Sequence, residues 1–216
     1  MHDLRAPRRR PPAEAEAQRQ TQAERRESAE RAILEAATQI VAERGLEELT
    51  LNEAGERAGY SRALPAHYFG SKATLVSALA DHIVDRYAIR VRESMSSADG
   101  LDSLLQRIAA YVDERSHDPV GLRAFQAILG AGVTNADMGN IVARLNRESV
   151  DGIAALIKLA REKGEIRADA RPRAEASIIV AAMRGVMFQW LIDPNHVSLS
   201  RVRDVLIANL RKTLAP

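Results

Sequence analysis

The chain of 216 residues contains no cysteine. That absence excludes disulfide bonds and thiolate metal sites, and it fits a reducing compartment such as the cytoplasm. No apolar run reaches the length of about 18 residues that a membrane span needs. The arginine-rich N-terminus also lacks the apolar segment of a secretory signal. We therefore expect a cytoplasmic protein that makes no contact with a membrane.

The sequence also lacks the motifs on which common enzyme sites are built. It contains no glycine loop for a nucleotide phosphate, no Gly-x-Ser-x-Gly turn and no His-Glu-x-x-His pair. His82 and His117 have no further ligands at metal-site spacing. A repeat period of about 30 to 45 residues is absent too, which excludes a helical repeat scaffold. We expect no enzymatic activity, no metal and no cofactor.

Hydrophobic residues recur at helical spacing through most of the chain. Prolines and glycines divide this pattern into segments, with clear restarts at Asp118-Pro119 and Pro172 and a clear stop at Asp193-Pro194. The pattern predicts about nine helices and no strand. The predicted fold class is therefore all-α.

The most informative segment runs from residue 28 to residue 75. Its first helix carries apolar residues on one stripe and ends at Gly45, because glycine tolerates the left-handed conformation of many helix ends. Thr50 and Glu53 then have the spacing of a capping box, in which each side chain accepts a hydrogen bond from the other residue's amide. This signature predicts that a short second helix begins at Thr50.

The second helix is expected to end at Ala58-Gly59. After a tight turn at Tyr60, Ser61 is suited to cap a third helix that runs toward Phe69. Two short helices joined by a turn that contains glycine predict a helix-turn-helix. The second helix of that motif fits the major groove of DNA.

This segment resembles the DNA-binding domain of the tetracycline-repressor (TetR/AcrR) family of transcriptional regulators, without a gap from residue 31 to residue 75. The resemblance implies an N-terminal three-helix DNA-binding domain followed by a larger helical domain for ligand binding and dimerisation. The shared residues are Arg31, Ile33, Leu34, Ala36, Ala37, Gly45, Thr50, Leu51, Ala58, Gly59, Tyr60, Ser61, His67, Tyr68, Phe69, Ser71, Lys72 and Leu75.

Three departures from the family pattern stand out. Ile40 replaces an aromatic residue, and Ala54-Gly55 replaces Ile-Ala; a glycine inside a helix costs about 1 kcal/mol relative to alanine, so Gly55 indicates close helix packing. Residues 62–66 also lack the usual glycine at 63 and Leu-Tyr at 65 and 66, including a tyrosine that commonly touches phosphate. Pro65 would be the fourth residue of a helix capped by Ser61, which is unfavourable. We therefore expect the third helix to begin late or as a looser turn.

The predicted DNA contacts fall into two kinds. Thr50 and Lys72 begin helices, where free amides and the positive dipole end favour phosphate, and the resemblance implies that His67 and Tyr68 also approach the backbone. Core packing is the alternative for Tyr68. Arg62 can reach guanine N7 and O6, with a phosphate contact as the alternative. The whole predicted set is Thr50, Ser61, Arg62, Ala63, Leu64, Pro65, His67, Tyr68 and Lys72.

Bulk charge does not identify this segment as a DNA binder. Residues 28–72 contain five Lys and Arg against seven Glu, and the whole chain carries a net charge of +2. The first 24 residues are polar and lack aromatics, so we expect a disordered tail there. Its arginines either follow the minor groove as an arm or remain solvated; charge runs favour the second reading. They are Arg5, Arg8, Arg9 and Arg10.

The segment 172–192 is apolar on nearly every side. Such a helix must be buried, either in a core or by a partner chain. With the last helix it can form half of a four-helix bundle that a second subunit completes, and the resemblance implies such a homodimer through about residues 172–214. Gly185 would let another backbone approach. The alternative is an ordinary core helix of a monomer.

The resemblance also implies a pocket for a small-molecule effector among the middle helices. Arg184 is a charge inside an apolar run, so it must be paired or reach water; an ion pair and a ligand contact both stay open. Ordinary packing is the alternative for most of the other candidates. The predicted effector residues are His117, Arg123, Gln126, Arg184, Phe188 and Gln189, and Phe125, Met138, Met187 and Trp190 are further candidates.

These predictions divide the chain into a tail (residues 1–24), a helix-turn-helix domain (25–75) and a helical effector-binding and dimerisation domain (76–216). The leading hypothesis is a dimeric transcriptional regulator, a repressor that a small molecule releases from a palindromic DNA operator. The alternative is a helical protein-interaction module that keeps the fold without specific DNA binding. Pro65 and Ala66 favour that alternative because they depart from the DNA-binding pattern.

Overall fold

The computed structural model describes the backbone of residues 12–94, 100–113 and 118–216, and the side chains from residue 21 onward apart from 90–99 and 114–117. Within these ranges the chain forms nine α-helices and no strand, which confirms the predicted fold class. The helices are α1 (Pro12–Arg44), α2 (Leu51–Arg57), α3 (Leu64–Phe69), α4 (Lys72–Ser94), α5 (Gly100–Tyr111), α6 (Pro119–Ala131), α7 (Ala136–Glu162), α8 (Pro172–Ile192) and α9 (Leu199–Leu214).

Helices α2 and α3 form the predicted helix-turn-helix, and α1 precedes them in the same three-helix domain. Gly45 after α1 has a φ of 89° and Gly59 after α2 has a φ of 80°, conformations that favour glycine. Thr50 caps α2 by accepting a hydrogen bond from the Glu53 amide at 3.2 Å. The Glu53 carboxylate bonds the Arg44 guanidinium instead of returning to Thr50. One half of the predicted capping box therefore forms.

Helix α1 begins much earlier than the sequence pattern indicated. Residues 12–24 are helical, although a disordered tail was expected over residues 1–24. This stretch consists mainly of alanine, glutamate, glutamine and arginine, which have high helix propensity, and it extends a helix that packing already nucleates farther along. Residues 21–28 are exposed, so burial does not account for the extension. The four tail arginines lie outside the described residues.

The buried apolar side chains form two clusters. The first cluster, or first core, joins α5, α7, α8 and α9 and contains Leu104, Ile157 and Met187. The second cluster, or second core, joins α1 to α4 with α6 and the first half of α7, and it contains Ile33 and Ile128. Since α6 packs directly on α1, the second cluster crosses the boundary expected after residue 75. The helix-turn-helix therefore shares its core with the larger domain.

Helix α8 has one buried and one uncovered face. Met183 and Met187 lie in the first core, whereas Ile178, Phe188 and Ile192 are 67%, 51% and 68% exposed. Of the described helices, α8 is the one long and apolar enough to cross a membrane by length and composition, a property that a helix packed in a bundle shares. Burial on all sides, expected from the sequence, is not reached within a single chain.

Candidate functional site

The third helix begins at Leu64, which confirms its expected late start. Ala63 occupies the N-cap position without a side-chain hydrogen bond, and Pro65 is the second residue of the helix. Proline is tolerated there because an amide in the first turn has no helical partner. The Leu64 amide bonds the Ser61 carbonyl at 3.1 Å, so residues 61–63 form a turn. The expectation that Ser61 caps the helix was wrong.

Pro65 is buried against Gly55 of α2. A Cβ atom at Gly55 would lie 2.7 Å from the Ser61 carbonyl oxygen and 2.9 Å from Pro65 Cδ, too close for any side chain. The glycine and the proline that depart from the family pattern are therefore two sides of one contact between α2 and α3. Because the Pro65 ring is buried, we assign it to packing and correct its expected role as a DNA contact.

The other predicted DNA-contacting residues reach the surface to different degrees. Tyr68 packs on the second core, and the Arg26 guanidinium lies 5.2 Å from its ring centroid. The Lys72 ammonium donates to the Glu47 carbonyl at 3.1 Å, which holds the start of α4 beside the loop before α2. Exposed are Thr50, Ser61, Arg62, Ala63 and His67, and partly exposed are Leu64, Tyr68 and Lys72.

Each arginine between residues 28 and 72 is paired with a glutamate. The Arg62 Nε atom lies 2.5 Å from Glu56 Oε1 at the turn before α3. The Arg57 guanidinium lowers the pKa of the Glu43 carboxyl through their hydrogen bond. Exposed pairs of this kind contribute little stability, so a nucleic acid can replace the glutamates at little cost. The pairs are Arg31–Glu27, Arg44–Glu53, Arg57–Glu43 and Arg62–Glu56.

A cavity of about 390 Å³ lies among α4, α5, α6, α7 and α8. Its wall combines aliphatic side chains with the aromatic rings of Tyr87, Tyr111 and Phe125. The Tyr87 and Tyr111 rings meet edge to face, with centroids 5.5 Å apart and an interplanar angle of 75°. A mostly apolar wall with a few polar groups is typical of small-molecule sites. The family resemblance implied an effector pocket in this region.

Arg184 reaches the cavity from α8. Its guanidinium donates to Asn146 Oδ1 and, at 3.1 Å, to Ser149 Oγ, and it lies 5.9 Å from the Phe125 ring centroid. Burial lowers the pKa of Arg184, and Tyr111 opposes that shift. Burial raises the pKa of Tyr111, so its phenol is neutral at physiological pH. Among the described residues no carboxylate pairs with Arg184, so its partners within the fold are neutral.

The remaining predicted effector residues do not line the cavity, or they lie outside the described residues. Arg123 is exposed on α6, and Phe188 and Gln189 are exposed on the uncovered face of α8. The Gln126 side chain donates to the Arg184 carbonyl at 3.5 Å. His117 lies outside the described residues. Of the further candidates, Phe125 lines the cavity, whereas Met138, Met187 and Trp190 belong to the cores.

Most of the cavity wall was missed at the sequence level, including Tyr87 on α4 and Arg107 and Tyr111 on α5. The sequence shows helical periodicity around each of them, which predicts their helices but not the direction in which they face. They come together because α4 and α5 pack side by side. No local signal in the sequence could have identified them.

The cavity wall is also part of the core beneath the helix-turn-helix. Phe125 belongs to the second cluster, and Ile83 packs against that cluster. An ion pair joins Arg86 of α4 to Glu35 of α1. The cavity therefore directly contacts α4, and through this core it is connected to α1.

The sequence matches known regulators over both parts of the chain. Residues 101–215 match the profile of the BetI-type transcriptional repressor C-terminal domain, which is more than half of the chain, and residues 33–79 match the tetR family of bacterial regulatory proteins. The HTH-type transcriptional repressor BepR of Brucella suis is 29% identical over 206 residues, covering 89% of this chain and 96% of BepR.

Solved structures share the fold. A TetR-family transcriptional regulator from Rhodococcus superposes with a TM-score of 0.80 at 24% identity, over 88% of this chain and 100% of that one. SmeT, the repressor of the Stenotrophomonas maltophilia efflux pump SmeDEF, superposes in its triclosan complex with a TM-score of 0.70 at 22% identity, over 87% of this chain and 92% of SmeT. The profiles over both parts of the chain and the similarity to BepR favour DNA binding over the protein-interaction module. The chain belongs to the TetR family and is a DNA-binding transcriptional regulator.

Proposed function

We propose that the protein is a cytoplasmic, homodimeric repressor that a small molecule releases from a palindromic operator. The observation that carries this proposal is that Ile83 and Phe125 line the cavity and also pack in the second core, beneath the helix-turn-helix. A ligand that fits against these side chains favours one arrangement of α1 and α4 over another, and only such differential affinity shifts a population. SmeT, which has the same fold, was solved as a complex with triclosan.

The uncovered face of α8 supports the homodimer. Ile178, Ala181, Gly185, Phe188 and Ile192 recur at helical spacing on that face. Contiguous apolar surface of this kind marks an interaction site. A second copy that packs α8 and α9 against their equivalents would cover it as a four-helix bundle, through about residues 172–214.

Two-fold symmetry sets the form of the operator. The dimer presents two copies of α3 related by the axis, and each copy reads one half-site. The operator is then a palindrome whose half-site centres lie about one helical turn of DNA, or a multiple of it, apart. We infer that each half-site meets Thr50, Ser61, Arg62, Ala63, Leu64, His67, Tyr68 and Lys72.

Gly185→Leu tests the interface. Beyond the neighbouring turns of α8, no described residue lies within 4 Å of a Cβ atom at this position, so the leucine fits the isolated subunit. We expect it to hold the bundle helices apart, and light scattering should show the loss of the dimer. Binding to the promoter DNA of the protein's own gene should weaken in parallel in a gel shift, because each half-site then binds alone.

Gly130→Leu is the matched control. Gly130 also lies in a helix with open space around its Cβ position, but on α6. That variant should remain dimeric and bind the same DNA as tightly as the unaltered protein. A Gly185→Leu protein that stays dimeric and binds DNA normally contradicts this interface.

A further inference from the structure

We propose that the effector is an organic acid with a hydrophobic, ring-containing body, and that its anionic group binds Arg184 inside the cavity. This inference rests on the proposed function, since it names the chemical class of the ligand for the same cavity. Three observations carry it: the pairing of the charged side chains in the wall, the partial burial of the Arg184 guanidinium and the aromatic surface around it.

The carboxylates of the cavity wall are already engaged. Asp118 caps α6 by accepting from the Val120 amide at 3.1 Å. Glu148 accepts two hydrogen bonds of 3.2 Å from Arg144. Glu148 is therefore paired with a cation, and the charge of Asp118 is stabilised by the positive N-terminal end of the helix that it caps.

The guanidinium groups of the wall are available. Arg107 and Arg184 both line the cavity, and neither is paired with a carboxylate in the part of the chain that the structure describes. Arg184 is the more buried of the two. The cavity thus offers positive charge that the fold does not neutralise, which attracts an anion and repels a cation.

Partial burial makes the charge of Arg184 unfavourable without a counter-ion. A buried ion without a counter-ion loses its hydration, and the lowered pKa of Arg184 has that cause. Asn146 and Ser149 hold the guanidinium in place through neutral hydrogen bonds. A guanidinium has five N–H donors, so a carboxylate can bind it without displacing both neighbours.

The rest of the wall suits a ring-containing body. Tyr87 and Phe125 present aromatic surface, and Tyr111 adds a neutral phenol that can donate a hydrogen bond to the acid. Aromatic rings alone would also accept a cation, but the two unpaired guanidinium groups oppose one. A cavity of about 390 Å³ is large enough for a two-ring molecule.

Three size-matched probes test the inference on the intact protein by titration calorimetry. They are biphenyl-4-carboxylate, biphenyl-4-methanol and biphenyl-4-methylammonium, which share a body and differ in the charge of the head group. We expect the carboxylate to bind at least about tenfold more tightly than the alcohol, since hydrogen bonds between ions are the stronger ones. Tighter binding of the ammonium, equal binding of all three or no binding of any of them overturns the inference.

Variants of Arg184 test whether this residue causes the preference for the carboxylate. Arg184→Gln should abolish the preference for the carboxylate and leave alcohol affinity within about twofold, and Arg184→Lys should restore part of the preference because it keeps the charge. Arg123→Gln, an exposed arginine outside the cavity, should change nothing. A carboxylate preference that survives in a folded Arg184→Gln protein overturns the assignment of the anion to Arg184.

A gel shift separates this inference from the proposed function. If the carboxylate binds the cavity but leaves the DNA complex intact, the result supports an acidic ligand and contradicts the release of DNA by a ligand. If the ammonium or the alcohol releases DNA better than the carboxylate does, the result supports release by a ligand and contradicts an acidic ligand.

Discussion

At the scale of single residues, Arg62 and Lys72 differ in their surroundings. Arg62 lies in the turn before α3 and is paired with Glu56, whereas Lys72 lies at the start of α4 and bonds the Glu47 carbonyl. The first position faces a groove when α3 enters it, and the second faces the backbone beside a helix N-terminus. We therefore expect one residue to read sequence and the other to contribute affinity.

Binding to operator and scrambled DNA across a salt series distinguishes the two roles. Lys72→Ala should weaken both complexes alike and reduce the salt slope by about one. Arg62→Ala should cost about 1–3 kcal/mol at one base pair per half-site and less on scrambled DNA. Glu56→Gln is the companion variant, and it should strengthen binding because it releases Arg62. Equal losses on both DNAs for Arg62→Ala would assign that residue to phosphate.

His82 carries the pH dependence that we predict for folding stability. Its Nε2 atom is buried without a hydrogen bond among the described residues, and Glu35 Oε1 lies 3.6 Å away while bonding Arg86. Burial lowers the pKa of His82 below its ordinary value of 6.5, and Glu35 only partly opposes this. The unfolded chain therefore binds more protons near pH 6.5 than the folded chain does. The free energy of unfolding is consequently higher above that pH and decreases as the pH falls.

Urea unfolding between pH 5 and pH 8 checks this sign. The unaltered protein should lose stability toward pH 5, and His82→Leu, which cannot be protonated, should show a smaller loss. His196→Gln, which replaces an exposed histidine that contacts Asp193, is the comparison variant. If the free energy of unfolding changes equally with pH in His82→Leu and in the unaltered protein, His82 is not the cause of the pH dependence.

At the scale of elements, the contact between α2 and α3 depends on Gly55 and Pro65. Helix propensity alone favours Gly55→Ala by about 1 kcal/mol, but the new Cβ would meet the Ser61 carbonyl and the proline ring. We expect overpacking to win and to destabilise the protein by about 1–3 kcal/mol. Urea denaturation measures this change.

Two further variants make the Gly55 prediction specific. Gly130→Ala, in a helix with open space, should be neutral or stabilising by up to about 1 kcal/mol. Pro65→Ala should recover part of the loss in the Gly55→Ala protein, since it removes one of the two clashing groups. Additive effects of Gly55→Ala and Pro65→Ala would show that the two residues are not coupled.

At the scale of the whole molecule, the two clusters do not follow the division into a DNA-binding and an effector domain. Helix α6 supplies Ala124, Phe125 and Ile128 to the core that supports α1 to α4. Gly121, Leu122 and Phe125 of the same helix line the cavity, so Phe125 belongs to both the cavity wall and this core. This arrangement gives a ligand a short route to the helix-turn-helix, and it means that the DNA-binding segment alone lacks part of its core.

Local chemistry was enough to predict much of this protein from its sequence. Gly45 and Gly59 mark the helix ends because positive φ angles favour glycine, and Thr50 marks a helix start because its hydroxyl accepts an early amide. Helical periodicity predicted the nine helices of the described ranges for the same reason, since neighbours three and four residues apart decide it. The helix-turn-helix and the family resemblance both rest on these short-range signals.

Tertiary packing alone decided the rest. Tyr87, Arg107 and Tyr111 line one cavity only because α4 and α5 lie side by side, and Pro65 is buried only because α2 has no side chain at Gly55. Likewise, the apolar pattern of α8 could not reveal which face the first core covers. These outcomes depend on how helices far apart in the sequence pack together, and periodicity within one helix carries no information about its neighbours.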